Sequence, residues 1–208
     1  MVKLNGPMFS LEASGSVGGT LTYASWKGRA YARQLVQPTN PRSAGQTGMR
    51  SMFAFLSKQW TNISSGDQAT FDADAEAKSI SPFNSYMALN MGRHKNYLPP
   101  SQTFTPAAAS TPLTVTTMTL SGGEAYVNIE LTPSGATDIW GFEIYRDTAE
   151  ITTPNNGNII AVIEADGTNA VSYNDTGLAA GTYHYRAAVI NDDGIRGTVK
   201  ADDTEAAT

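Results

Sequence analysis

At 208 residues, 40% of them apolar and 16% charged, the chain is long enough to bury the core of one large domain or two modest ones. It has no cysteine, which excludes a disulfide framework, a thiolate metal site and a cysteine nucleophile. The net charge of −5 conceals a division: residues 1–100 carry ten Lys/Arg against five Asp/Glu, and the remainder carries four against fourteen. Halves of opposite sign face different neighbours, or each other.

Near the start, Gly6, Pro7, Ser10 and Glu12 interrupt the apolar residues, so no run of signal-peptide length is expected. No stretch is long and apolar enough to span a bilayer. Gly15, Gly18 and Gly19 predict a leading arm outside any core. The segments "TLTYASW" and "RAYARQLV", both rich in β-formers, flank Lys27-Gly28 and predict a β-hairpin. A tight turn there would put Trp26, Arg29, Tyr31 and Arg33 on one face, and Leu21, Tyr23, Ala30 and Ala32 on the other.

Asn40-Pro41, or Ser43 with Gln46 a turn later, then offers a helix start. Met49, Met52, Phe53, Leu56 and Trp60 recur at helical spacing and predict an inward stripe. Ser65 with Gln68 marks a second start, leading into "ATFDADAEAK". Ser81-Pro82 marks a third, with Phe83, Met87 and Met91 on one face and Arg93, His94 and Lys95 in the last turn, where cations suit the helix dipole. The segment "LPPSQTFTPAAASTP" has neither helical nor alternating pattern and reads as a linker or an extended docked connector. Beyond it, "AYVNIEL", "WGFEIYR", "NIIAVIEA" and "YHYRAAVI", separated by "TPNNGN" and "NDDG", predict a β-sandwich. Val127, Ile129 and Leu131 alternate with Asn128 and Glu130, as one dry and one wet face require. The expectation is an α+β chain: a hairpin with a Gly-rich arm and about three helices in 1–97, a linker in 98–112, and an all-β domain in 113–208.

"YNDTGLAAGTYHYRAAVINDDG" resembles the end of a fibronectin type III domain, a likeness that covers roughly 113–204. Leu178, Gly181 and Tyr183 match the turn before that family's penultimate strand, with Tyr183 at the tyrosine corner. The likeness implies that Tyr185, Ala187 and Val189 point inward, His184 and Arg186 outward, and that Trp140, Phe142 and Ile144 are inward on the third strand. The family's tryptophan on the second strand is replaced by Val127 or Ile129. Such a fold says little about function. The first half is similar to small, mostly uncharacterised proteins of tailed bacteriophages and prophages, through Gly18, Gly19, Lys27, Gly28, Arg29, Arg33, Pro38, Asn40, Pro41, Gln46, Arg50 and Trp60. That similarity implies a virion structural component.

Trp26, Lys27, Arg29, Tyr31, Arg33, Arg42 and Arg50 are the candidate partner-binding residues. Basic and aromatic groups of this kind could track a phosphate backbone. A charge of +5 over the first hundred residues is modest for that, and no nucleic-acid-binding signature accompanies it, so an acidic protein partner is the first expectation and an ordinary solvated hairpin face the next. Neither His94 nor His184 has a serine and carboxylate at a spacing that builds a triad. Asp72, Asp74 and Glu76 lack the later Gly and closing Glu of a calcium loop and read as a solvated helix face. Asn191, Asp192 and Asp193 form a turn at the recognition end of the sandwich, and Tyr126 and Tyr145 are surface aromatics able to stack on a sugar.

The expected function is a non-enzymatic structural part of a tailed-phage virion, made in the host cytoplasm and needing no cofactor. Head decoration is the first placement, and neck or tail the next. Partners would be other virion proteins, with the chain homo-oligomeric or present in many copies. The alternative is a glycan-binding adhesin.

Overall fold

The computed structural model describes residues 2–3, 14–36, 42–106, 113–135, 139–165 and 170–208. They fall in two compact units, Met1–Pro41 and Arg42–Thr208.

The first unit is one antiparallel sheet of β1 (Val2–Lys3), β2 (Gly15–Val17), β3 (Leu21–Trp26) and β4 (Arg29–Gln34), in the order β1-β4-β3-β2. Lys27 (φ 50°) and Gly28 (φ 72°) are both left-handed, which makes a two-residue type I′ turn whose twist matches the strands it joins. That turn fixes Trp26 opposite Arg29 and carries the register to Leu21 opposite Gln34. The two faces are therefore those the alternation predicts. The glycine-rich lead-in, expected as an arm outside any core, has Gly15, Gly18 and Gly19 exposed and is paired to the sheet, Gly15 with Tyr23 and Val17 with Leu21.

The second unit opens with α1 (Ala44–Gln59), α2 (Ser65–Ala69), α3 (Asp72–Lys78) and α4 (Pro82–Lys95). The Ser64 hydroxyl accepts the Asp67 N–H and the Ser81 hydroxyl accepts that of Asn84, each at 3.2 Å. Both caps satisfy donors that a helix start leaves open. The second predicted helix is two short ones, broken where Phe71 turns into the core. Ser43 precedes α1 without a side-chain cap bond; Asn40-Pro41 lies outside the described residues.

Then follow β5 (Val115–Gly123), β6 (Tyr126–Pro133), β7 (Gly141–Asp147), β8 (Ile159–Glu164), β9 (Val171–Thr176), β10 (Gly181–Ile190) and β11 (Asp203–Ala207). They form two sheets, β5-β6-β9 and β11-β10-β7-β8. Between the sheets lie Val127, Ile129, Leu131, Phe142, Ile144, Tyr185, Ala187 and Val189, as the fibronectin likeness implies. The Tyr183 hydroxyl donates to the Ala179 carbonyl at 3.0 Å, which completes the tyrosine corner.

The four-stranded sheet is covered on its other face too. Met52, Phe55 and Leu56 of α1 and Tyr86 and Met87 of α4 share a core with Tyr145, Ile159, Val162, Ala188 and Ile190. Trp140 belongs to this core and not to the inter-sheet one, and its indole donates to Gln59 Oε1 at 3.0 Å. Helices and sandwich share this core and fall in the one compact unit Arg42–Thr208. Residues 98–106 are a docked connector, in which Pro99, Pro100 and Ser101 are buried and Ser101 exchanges two hydrogen bonds with Asn90 (2.7 and 3.0 Å).

The buried face of α1 is rotated from the predicted stripe. Gly48, Met52, Phe55, Leu56 and Gln59 face inward, while Met49 and Phe53 are exposed. The cause is close approach to β8: a Cβ on Gly48 would overlap the Ile159 carbonyl oxygen. One turn on, the Ser51 hydroxyl accepts the Val162 N–H (2.7 Å) and donates to the Val162 carbonyl (3.1 Å), so a helix side chain satisfies the edge strand.

Candidate docking surface

Among the described residues of Met1–Pro41 whose exposure is defined, none is buried. A small sheet normally needs a hydrophobic face packed on something; among its described residues this one has apolar residues on both faces and none buried. One face carries Trp26, 66% exposed, with Arg29, Tyr31 and Arg33. Lys27 sits 4.8 Å from the Trp26 ring and holds it from one side. Arg29 and Arg33 have no carboxylate partner among the described residues. On the same face, opposite Arg33, the Thr22 hydroxyl oxygen is shielded from solvent and has no hydrogen-bond partner. Cations, aromatics and a hydroxyl without a hydrogen-bond partner thus share one face, which makes it a candidate docking surface.

The seven predicted partner residues do not form one patch on one unit. Trp26, Lys27, Arg29, Tyr31 and Arg33 lie on the hairpin, whereas Arg42 and Arg50 are exposed at the start of the second unit. Arg50 stands beside the exposed Met49 and one turn from Phe53 on α1.

The 191–194 turn is built differently from a free recognition loop. Asn191 is buried, and its side-chain oxygen accepts the Ile195 N–H at 2.8 Å. Arg93 donates to the Gly194 carbonyl (3.0 Å), and Gln102 donates to the Asp192 carbonyl (3.1 Å). Asn191 therefore shapes the turn, and only Asp192 is fully exposed, with Asp193 partly so.

Tyr145 is wholly buried, against the surface position expected of it. Its hydroxyl donates to Glu143 Oε2 (2.7 Å) and accepts from the Tyr97 hydroxyl (3.3 Å). Arg196 forms a two-pronged pair with the fully buried Glu143, donates to the Tyr97 carbonyl (3.0 Å) and stacks on the Tyr97 ring at 4.0 Å. Burial opposes the Arg196 charge, but Glu143 outweighs it and the guanidinium is held above its ordinary value. Burial pushes the nearby His94 below the usual imidazole range; Glu143 opposes that and Arg196 adds to it. Its Nδ1 is buried without a partner. Polar letters in a strand pattern read as solvent-facing, which is why the sequence hid this cluster.

His184 does meet a carboxylate that spacing did not reveal: its Nδ1 lies 2.6 Å from Asp202 Oδ2. The same carboxyl accepts the Ile151 N–H at 3.3 Å, so the pair ties the β7–β8 connection to the approach of β11. Asp74 is engaged by Lys78 and Ser85, which hold its carboxyl below the ordinary range, while Asp72 and Glu76 are solvated as expected.

Strand order, inter-sheet core and tyrosine corner define a fibronectin type III-like sandwich with a helical layer on its four-stranded sheet. Among solved structures, a similar one is an Fn3-like protein from Clostridium thermocellum, 20% identical, covering 48% of this chain and 96% of that one with a TM-score of 0.35. A beta-1,2-glucanase from Parabacteroides distasonis is 17% identical over 49% of this chain with a TM-score of 0.38, and the likeness spans 13% of the glucanase. A family 76 glycoside hydrolase from a bovine Bacteroides thetaiotaomicron strain is 17% identical over 45% of this chain and 20% of its own length, with a TM-score of 0.34. No protein-family model and no curated protein matches the chain.

Proposed function

We propose that the chain is a non-enzymatic structural component of a tailed-phage particle, held by the sheet of Met1–Pro41 and presenting its sandwich outward, with head decoration ahead of neck or tail placement. The observation that carries the reading is the surface of that sheet: none of its described residues with a defined exposure is buried, and Trp26, Arg29 and Arg33 are exposed on one face beside the half-buried Tyr31. The setting is what the sequence's similarity to small, mostly uncharacterised proteins of tailed bacteriophages and prophages implies, through Gly18, Gly19, Lys27, Gly28, Arg29, Arg33, Pro38, Asn40, Pro41, Gln46, Arg50 and Trp60. Repetition on a lattice would offset the entropy lost when a small sheet orders on contact. The test is incorporation: Trp26→Ala with Arg29→Ala should keep the chain out of particles while the second unit melts as in wild type. Normal incorporation would remove the sheet from the account.

A glycan-binding role is the second reading, favoured by the outer face of the three-stranded sheet. Thr119, Glu130 and Ser172 align across it, as do Ser121, Asn128 and Asn174, with Tyr126 40% exposed at one end. A glycan array probed with the full chain separates the two, since the adhesin reading requires a hit that Tyr126→Ala abolishes.

A further inference from the structure

The docking reading leaves open what the sheet meets. We infer that its occupant is the acidic rim of a second copy of the same chain, so that the protein associates with itself through its two units; this rests on the reading of Met1–Pro41 as a docking surface.

Met1–Pro41 holds four Lys/Arg against one Asp/Glu, a net +3, whereas Arg42–Thr208 holds ten against eighteen, a net −8. On the cationic side, Arg29 and Arg33 share the Trp26 and Tyr31 face and have no ion pair among the described residues. On the anionic side, the fold brings Glu124 of the β5–β6 turn to the far end of β11, the strand that carries Asp203 and Glu205 along its length. The Thr208 N–H donates to Gly123 (3.0 Å) and the Ala125 N–H to Thr208 (2.9 Å), which draws the β5–β6 turn onto the end of β11. The approach is so close that a Cβ on Gly122 would overlap the Ala206 carbonyl. Glu124 and Asp203 are exposed, Glu205 is half-buried, and none of the three has an ion pair among the described residues. Like charges assembled on a rim repel one another until cations arrive, and opposed unpaired patches steer association. Each copy carries one cationic sheet and one anionic rim, so the contact joins unlike surfaces of two copies.

The experiment is light scattering and sedimentation of the full chain over a range of concentration, at low and at high salt. The wild type should exceed monomer mass at low salt and fall toward it as salt shortens the screening length. Arg29→Glu with Arg33→Glu should be monomeric, and so should Glu124→Lys with Asp203→Lys and Glu205→Lys, each with a wild-type melting temperature. Mixing the two variants should restore a complex, because the reversed charges now match. A wild type that stays monomeric at every concentration, or a sheet variant that assembles like wild type, overturns the inference. A monomeric wild type whose Trp26→Ala, Arg29→Ala variant still fails to enter particles would overturn self-docking alone and leave the docking reading standing. Self-association with normal incorporation of that variant would do the reverse.

Discussion

Gly48 of α1 lies against the carbonyl of Ile159 on β8 with no room between them for a side chain. The helix therefore sits at its position through the absence of a Cβ. Gly48→Leu should push α1 off the sheet and cost about 1–3 kcal/mol, the usual penalty for overfilling a packed contact, read as a lower urea midpoint.

The rotation of α1 separates two phenylalanines two residues apart. Phe55 is 5% exposed and meets Trp140 edge-on at 5.0 Å, whereas Phe53 is 54% exposed. Phe55→Ala should cost about 3–5 kcal/mol as a buried aromatic lost. Phe53→Ser should change stability by no more than about 0.5 kcal/mol. Parallel thermal melts check the pair, and equal losses would contradict the rotation.

Glu143 and Arg196 neutralise each other beneath the helices. Glu143→Leu leaves a buried guanidinium without its partner and should cost about 3–5 kcal/mol. Adding Arg196→Met should recover much of that loss, since two apolar groups in place of a buried ion pair are often neutral. The double-mutant cycle, by chemical denaturation, measures the coupling.

His94 makes stability depend on pH in one direction. Its folded-state value lies below the ordinary 6.5, chiefly through burial. Below pH 6.5 the unfolded chain takes up a proton that the folded chain resists, so its contribution is complete above 6.5 and is lost as pH falls from there through the folded value. The urea midpoint should be lower at pH 5.5 than at 7.5, and His94→Leu should flatten that difference.

Tyr183→Phe removes one hydrogen bond, that to Ala179, and little else. A loss of about 1 kcal/mol is expected, or a melting temperature lower by about 2–4 °C in a unit of this size, with the fold retained.

How far the letters revealed the molecule depends on what each pattern could encode. The hairpin was legible because a two-residue turn admits one register, and Lys27-Gly28 is long enough for nothing else. The inter-sheet core was legible because Val127, Ile129 and Leu131 alternate strictly. The second buried face was not: β7 is buried at five successive positions, but Glu143 and Tyr145 among them are polar and look outward until Arg196 and Tyr97 are placed beside them. Composition marked 98–112 as irregular, and irregular chain can dock as readily as it can swing, as the Asn90–Ser101 bonds show. On the hairpin, alternation fixes which side chains share a face, whereas on α1 helical spacing gives a stripe without its direction, which is why Met49 and Phe53 belong to the predicted stripe and yet are exposed.

Ser51 also bears on aggregation. By occupying both backbone groups of Val162, it leaves that margin of the sandwich nothing at that point with which to zip onto a neighbour. Exposed strand edges are where sheets fuse into fibrils. One hydroxyl on a helix acts there as a plug in that stretch of edge.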